Sequence, residues 1–131
     1  MKPRWNHAVS LSVLVVSLSV LAIVIALQSV AAAPIVEIRL NTRFAMAPAS
    51  VRVVIVIEPH AANRTLRVEL DGDGMFSSSD ITLEGDGEKR LHEMYFRGVP
   101  AGRYTILAAV LTAHAVRGSA EESLNVISME Q

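Results

Sequence analysis

The chain has 131 residues, no cysteine and a formal net charge of −1, from 12 Lys and Arg against 13 Asp and Glu. Without cysteine there can be no disulfide, no lipid-anchored thiol and no zinc-thiolate centre. A near-neutral balance with no basic block argues against nucleic acid as a partner.

Met1 to His7 carries Lys2 and Arg4 and no acid, and no charged residue occurs from Ala8 to Val36. A helix rising ~1.5 Å per residue needs roughly 20 residues to cross a hydrocarbon core. The densest apolar part, Ala8 to Leu27, has that length, with Ser10, Ser12, Ser17 and Ser19 diluting its first half. Ser29-Val30-Ala31-Ala32-Ala33 then supplies the small residues a signal peptidase accepts, and Pro34 shifts the expected cut to Ala32. Two outcomes stay open, a cleaved signal peptide and a single-pass membrane anchor. Lys2 and Arg4 orient both alike, with the rest of the chain outside the cytoplasm. Residues 1–32 are therefore expected to form an N-terminal hydrophobic helix and residues 33–131 one exported domain. The alanine-rich leader suggests a bacterial source, which places that domain in the periplasm or anchored on the outer side of the inner membrane. Past residue 33, ten basic residues stand against all thirteen acids, a formal charge of −3 that makes anionic lipid a poor partner as well.

The remainder reads as strands separated by turns. Ile35–Asn41 alternates Ile and Val with polar residues, and Val51–Glu58 is almost continuously β-branched. Pro59-His60-Ala61-Ala62-Asn63 breaks that run. Arg64–Leu70 places Leu66, Val68 and Leu70 on one face and Arg67 and Glu69 on the other. Asp71-Gly72-Asp73-Gly74 signals a turn, followed by a short strand over Ser79–Leu83. Glu84-Gly85-Asp86-Gly87 turns into Lys89–Arg97, Pro100-Ala101-Gly102 into Arg103–Ala113, and His114–Gly118 leads to a last strand over Glu121–Ile127. About seven strands without crossover helices predict an all-β antiparallel sandwich.

The segment Phe96-Arg97-Gly98-Val99-Pro100-Ala101-Gly102-Arg103-Tyr104-Thr105-Ile106-Leu107-Ala108-Ala109-Val110 resembles a corner of immunoglobulin-like and fibronectin type III modules of exported bacterial proteins. Its Pro-x-Gly-x-Tyr core is also similar to transthyretin-like and Cna-B-type sandwiches. The resemblance implies an Ig-like fold in which Gly102, Tyr104 and Ile106 are fold-defining. Tyr104 would tie its hydroxyl to nearby backbone, and Ile106 would take the core position that antibody domains give to cysteine, facing Val53 or Ile55. Trp5 is the only tryptophan, so the antibody-type core tryptophan is missing and the wider sandwich class is what the resemblance implies.

No motif assigns a reaction. An EF-hand starting at Asp71 would need an oxygen ligand, Gly and Glu where Met75, Phe76 and Thr82 stand, so a turn is expected there. Asp71, Asp73, Asp80 and Asp86 support an alternative reading, a loop-based ligand- or calcium-binding accessory domain. His60, His92 and His114 lie far apart, the first and last expected in loops and His92 at a sheet surface. No nucleophile elbow, phosphate-cradling glycine loop or zinc-protease helix is present. A small hydrolase would need a nucleophile–base pair that spacing does not reveal. The chain is therefore expected to be non-catalytic, with no catalytic, cofactor-binding or metal residue assigned and no cofactor. Asn63-Arg64-Thr65 fits a glycosylation sequon, without meaning in a bacterium.

The informative anomaly is apolar residues on both faces of two strands. If Val53, Ile55 and Ile57 point inward, Val54 and Val56 point out; if Ile106, Ala108 and Val110 point inward, Leu107 and Leu111 point out. Val54, Val56, Leu107 and Leu111 are thus the candidate partner face, for an unknown protein or for self-association. Strand addition at Ile35–Asn41 or Glu121–Ile127 is the other route to a partner.

Overall fold

The computed structural model describes residues 33–129, and the expected N-terminal helix over residues 1–32 lies outside them. Among the described residues no helix is long and apolar enough to cross a membrane. They form eight strands: β1 (Val36–Leu40), β2 (Phe44–Met46), β3 (Ala49–Ile57), β4 (Thr65–Gly72), β5 (Phe76–Thr82), β6 (Leu91–Val99), β7 (Gly102–Leu111) and β8 (Val116–Ile127), with a 3₁₀ turn at Gly85–Gly87. Two sheets result, one ordered β1-β3-β6 and one ordered β2-β8-β7-β4-β5.

The expected all-β two-layer architecture is observed, with one strand more than expected. Phe44–Met46 pairs parallel to the end of β8, Phe44 opposite Asn125 and Met46 opposite Ile127. The sandwich is therefore not wholly antiparallel. Alternation places the core where the sequence suggests. Val51, Val53, Ile55 and Ile57 of β3 face Leu66, Val68 and Leu70 of β4 and Ile106, Ala108 and Val110 of β7, all nearly inaccessible to solvent. β-Branched side chains suit this pleated, double-layered packing, and their burial supplies the main driving force.

Two bulges adjust which residues face inward. Between Ala49 and Val51 the register opposite β6 jumps from Val99 to Phe96, and Gly98 in that jump has φ +66°. Glycine takes this left-handed conformation without the cost a Cβ imposes. The extra residue lets both Phe96 and Val99 face the core. In β8 the register slips where Val110 pairs with Gly118 and Leu111 with Val116, which frees Arg117 to reach the connection between β3 and β4.

The tyrosine of the Pro-x-Gly-x-Tyr segment is 3% exposed, and its Oη donates to the Pro100 carbonyl at 2.8 Å. Gly102 opens β7, where a side chain would begin 3.3 Å from the Tyr104 ring. Ile106, two residues on, is fully buried with Val53 and Ile55 in the same core.

Candidate functional site

The two outward pairs offered as a partner face lie on opposite sides of the domain. Val54 and Val56 lie on the outer face of the three-stranded sheet, and Leu107 and Leu111 on the outer face of the five-stranded sheet. All four are half-buried. The surroundings of the two pairs differ. Leu107 sits in register between Glu69 of β4 and Glu121 of β8, and Ala109 between Arg67 and Ser119. Arg67 in turn grips Asp80 of β5 through two hydrogen bonds of 2.9 and 3.1 Å. Leu107 is thus flanked by two carboxylates, while Leu111 lies between Thr65 and Val116, the latter 58% exposed.

The outer face of the three-stranded sheet is different. Val56 lies between Glu37 and Leu91, Val54 between Arg39 and Glu93, and Arg52 beside Tyr95. Leu91 is 55% exposed and Tyr95 51% exposed, so β6 presents two large side chains on its outer face while Phe96 and Val99 face the core. Arg52 holds Glu93 with a bidentate pair, Nε to Oε1 at 2.8 Å and Nη2 to Oε2 at 3.1 Å. Tyr95 Oη donates to the same Glu93 Oε1 at 2.7 Å, and the Arg97 guanidinium lies 5.7 Å from the Tyr95 ring centroid. A shallow cavity of about 300 Å³ lined by Arg39, Leu40, Asn41, Arg52, Val54 and Leu91 adjoins this cluster. This face thus combines Tyr95, Leu91, Val54 and Val56 with Arg39, Arg52 and Arg97.

Electrostatics fixes the cluster's geometry. The hydrogen bonds from Arg52 and then from Tyr95 hold the Glu93 carboxyl down at about 2, against a smaller opposing effect of desolvation. The same contact pushes the Tyr95 hydroxyl up. A carboxyl that titrates lower folded than unfolded contributes stability above the unfolded value of about 4.3, and the contribution fades as pH falls toward 2. Arg52→Ala is expected to move the Glu93 titration midpoint upward while the Tyr95 hydrogen bond keeps it below the ordinary value. A carbon-detected NMR titration of the Glu93 carboxyl measures this; an unmoved midpoint would show that Arg52 does not hold it.

The remaining candidates are dispersed. Asp71 and Asp73 flank the β4–β5 turn and are exposed, Asp80 is engaged by Arg67, and Asp86 lies in the 3₁₀ turn beyond the other end of β5. Among the described residues no three His, Cys, Asp or Glu are grouped to hold a metal ion. The glycines of Asp71-Gly72-Asp73-Gly74 serve packing as well as turning. β4 continues through Gly72, and a Cβ at Gly72 or Gly74 would strike Tyr104. His92 corrects the expectation of a sheet-surface histidine. It points inward, 5% exposed, with Nε2 3.1 Å from the Lys89 carbonyl and 3.6 Å from Glu88 Oε1. His60 Nδ1 accepts from the Ala62 amide, and His114 is exposed. Among the described residues no histidine is hydrogen-bonded to a serine hydroxyl. Asn63 of the sequon is fully buried and unable to accept a glycan in the folded state.

One feature escaped sequence reasoning altogether. Phe44, 67% exposed on β2, walls a groove of about 560 Å³ over Arg103, Thr105, Ser123 and Asn125. It could be foreseen only with β2 in place.

No protein-family model and no curated protein sequence matches the chain. Among solved structures, the fold is similar to superoxide reductase (neelaredoxin) from Ignicoccus hospitalis, with TM-score 0.53 and 12% identity over 70% of this chain and 80% of that one. A single-residue variant of that enzyme aligns with TM-score 0.54 and 12% identity over 72% and 81%. The CARDB domain of a Pyrococcus furiosus protein, solved in complex with di-metal ions, aligns with TM-score 0.45 and 16% identity over 70% and 85%. At 12% identity the likeness to the reductase is one of fold alone.

Proposed function

We propose that this chain is a non-catalytic interaction module of immunoglobulin-like or fibronectin type III-like type, exported or membrane-tethered by its N-terminal apolar run. It docks a protein partner through the outer face of the three-stranded sheet. The fold reading is supported by the buried Tyr104 with its bond to the Pro100 carbonyl, and by β5 joining the five-stranded sheet beside β4, as strands added in variable-type domains do. The export reading rests on the charge-free run from Ala8 to Val36 behind Lys2 and Arg4.

The observation that carries the binding surface is the outward Leu91 and Tyr95 beside Val54 and Val56, framed by Arg52 and Arg97. A photo-crosslinking residue at Val54, in the full chain expressed in its host, is expected to give one adduct of defined mass. The same residue at Thr105, on the opposite sheet, gives none. Tyr95→Ala weakens that association by about 2 kcal/mol, roughly thirty-fold. Equal labelling at both positions, or an adduct indifferent to Tyr95→Ala, would defeat the reading.

A further inference from the structure

We propose that the β5 edge pairs antiparallel with β5 of a second copy of this chain, joining two five-stranded sheets across a two-fold axis. This deepens the interaction reading above by naming one occupant, yet it stands on different residues. The Val54 and β5 experiments can therefore fail independently.

An unpaired strand edge exposes a row of N–H and C=O groups, and proteins guard such edges with charge, bulges, proline or shortness. Among the described residues, three of the four sheet-terminal strands are guarded. β2 has three residues, and Thr42 Oγ1 bonds both the N–H and the C=O of Phe44. β1 has five residues, carries the Glu37–Arg39 ion pair, and begins beside Ile35, which packs against Gly118 of β8. β6 is broken by the Arg97–Gly98 bulge and carries Glu93, Arg97 and the inward His92.

β5, Phe-Ser-Ser-Ser-Asp-Ile-Thr, has none of these devices. It runs seven residues in unbroken register with β4, holds no Pro, Lys or Arg, and has its one charge, Asp80, paired in-sheet with Arg67 of β4.

The direction of its free groups follows from the hairpin. Leu83 N–H donates to the Arg64 carbonyl at 2.9 Å and Gly72 N–H to the Met75 carbonyl at 3.2 Å. In an antiparallel ladder these bonds alternate, so Ser77, Ser79 and Ile81 direct their backbone groups to β4. Phe76, Ser78, Asp80 and Thr82 direct theirs to the open side.

The strand is also complementary to itself. Antiparallel pairing centred on Ser79 uses all seven residues. It sets Ser78 opposite the second copy's Asp80, a hydroxyl donor facing the one carboxylate, with Ser77 opposite Ile81 and Phe76 opposite Thr82. Shifting the centre to Asp80 would place two carboxylates face to face, which opposes that register. An interface of this kind is isologous and closes as a dimer.

The centred register makes Ser79 a non-hydrogen-bonded pair with its own symmetry mate, at a Cα separation of about 4.5 Å, within disulfide range. The native chain lacks cysteine, so Ser79→Cys is a single reporter. In the full chain treated with a mild oxidant, Ser79→Cys is expected to form a disulfide dimer on a non-reducing gel. Ser119→Cys, on the outer face of the same sheet, is expected to stay monomeric. Adding Ser78→Pro, which removes only an outward N–H, should abolish the dimer while the circular dichroism spectrum is kept. Ser78→Lys serves the same end should the proline unfold the chain. Crosslinking of Ser79→Cys no stronger than that of Ser119→Cys, or undiminished by Ser78→Lys, overturns the proposal.

Discussion

Gly72→Ala is expected to destabilise the domain by about 3 kcal/mol, a large share of the roughly 5–15 kcal/mol typical of a domain. A Cβ at position 72 would lie 2.3 Å from the Arg103 carbonyl oxygen and 2.4 Å from Tyr104 Cδ1. Neither obstacle can yield. The carbonyl belongs to a strand paired with β4 in register, Gly72 opposite Tyr104, and the ring is buried with its hydroxyl held by Pro100. Gly74 is placed alike, its missing Cβ 2.6 Å from Tyr104 Oη and 2.9 Å from Pro100 Cγ. The corner tyrosine therefore needs glycine on the neighbouring strand as much as it needs its acceptor. Tyr104→Phe keeps the ring and removes one hydrogen bond, an effect of about 1 kcal/mol. Denaturant midpoints of the two variants, compared with the parent, test the ranking. A Gly72→Ala protein as stable as Tyr104→Phe would mean that β4 and β7 separate freely here, against the packing described.

These glycines also show how far the sequence could be read. Two Asp-Gly pairs signal a turn by propensity, and a turn is there, but their contact with a tyrosine thirty residues on is a tertiary fact that no local rule carries. Period-two alternation located β1 and β4, where inward apolar residues alternate with more exposed ones, whereas β3 and β7 stood out as near-continuous apolar runs bounded by turns. Phe44-Ala45-Met46 is too short to show a period, and its parallel pairing with β8 is not the product of a hairpin, so it escaped notice. On β6 the expectation of a surface His92 fails. His92, Met94 and Phe96 face inward while Leu91 and Tyr95 face out, the reverse of what polarity suggests for the histidine. Alternation within a strand says which residues share a side, but not which sheet the strand joins. Val54 and Leu107 could both be recognised as outward, yet only the topology separates them onto opposite faces. The β5 edge was illegible for a related reason. Three serines in a row have little propensity signal, and an edge exists only once the order of strands is known.

Asn63→Ala should cost about 2–3 kcal/mol, the effect of leaving buried polar groups without partners. Asn63 is fully buried where the chain passes from β3 to β4, and its Nδ2 donates to the Glu58 carbonyl at 3.0 Å. Its Oδ1 accepts from Arg117 Nη1 at 3.3 Å, and the same guanidinium reaches the Glu58 carbonyl at 3.3 Å and Glu58 Oε1 at 3.2 Å. The β8 bulge delivers that arginine to the opposite sheet's connection, so one amide and one guanidinium fasten three segments distant in sequence. Truncating either member strands the other's partners, and the second truncation then loses less than the first. Arg117→Ala and Asn63→Ala together should therefore cost less than their separate effects added, with a coupling of about 0.5–2 kcal/mol. Asn63→Asp sharpens the point. A carboxylate would keep the Arg117 contact but set an acceptor against the Glu58 carbonyl where a donor stood, so it too should lower the denaturation midpoint. An Asn63→Asp protein as stable as the parent would show that the arginine alone fastens the segments and that the amide donor is idle.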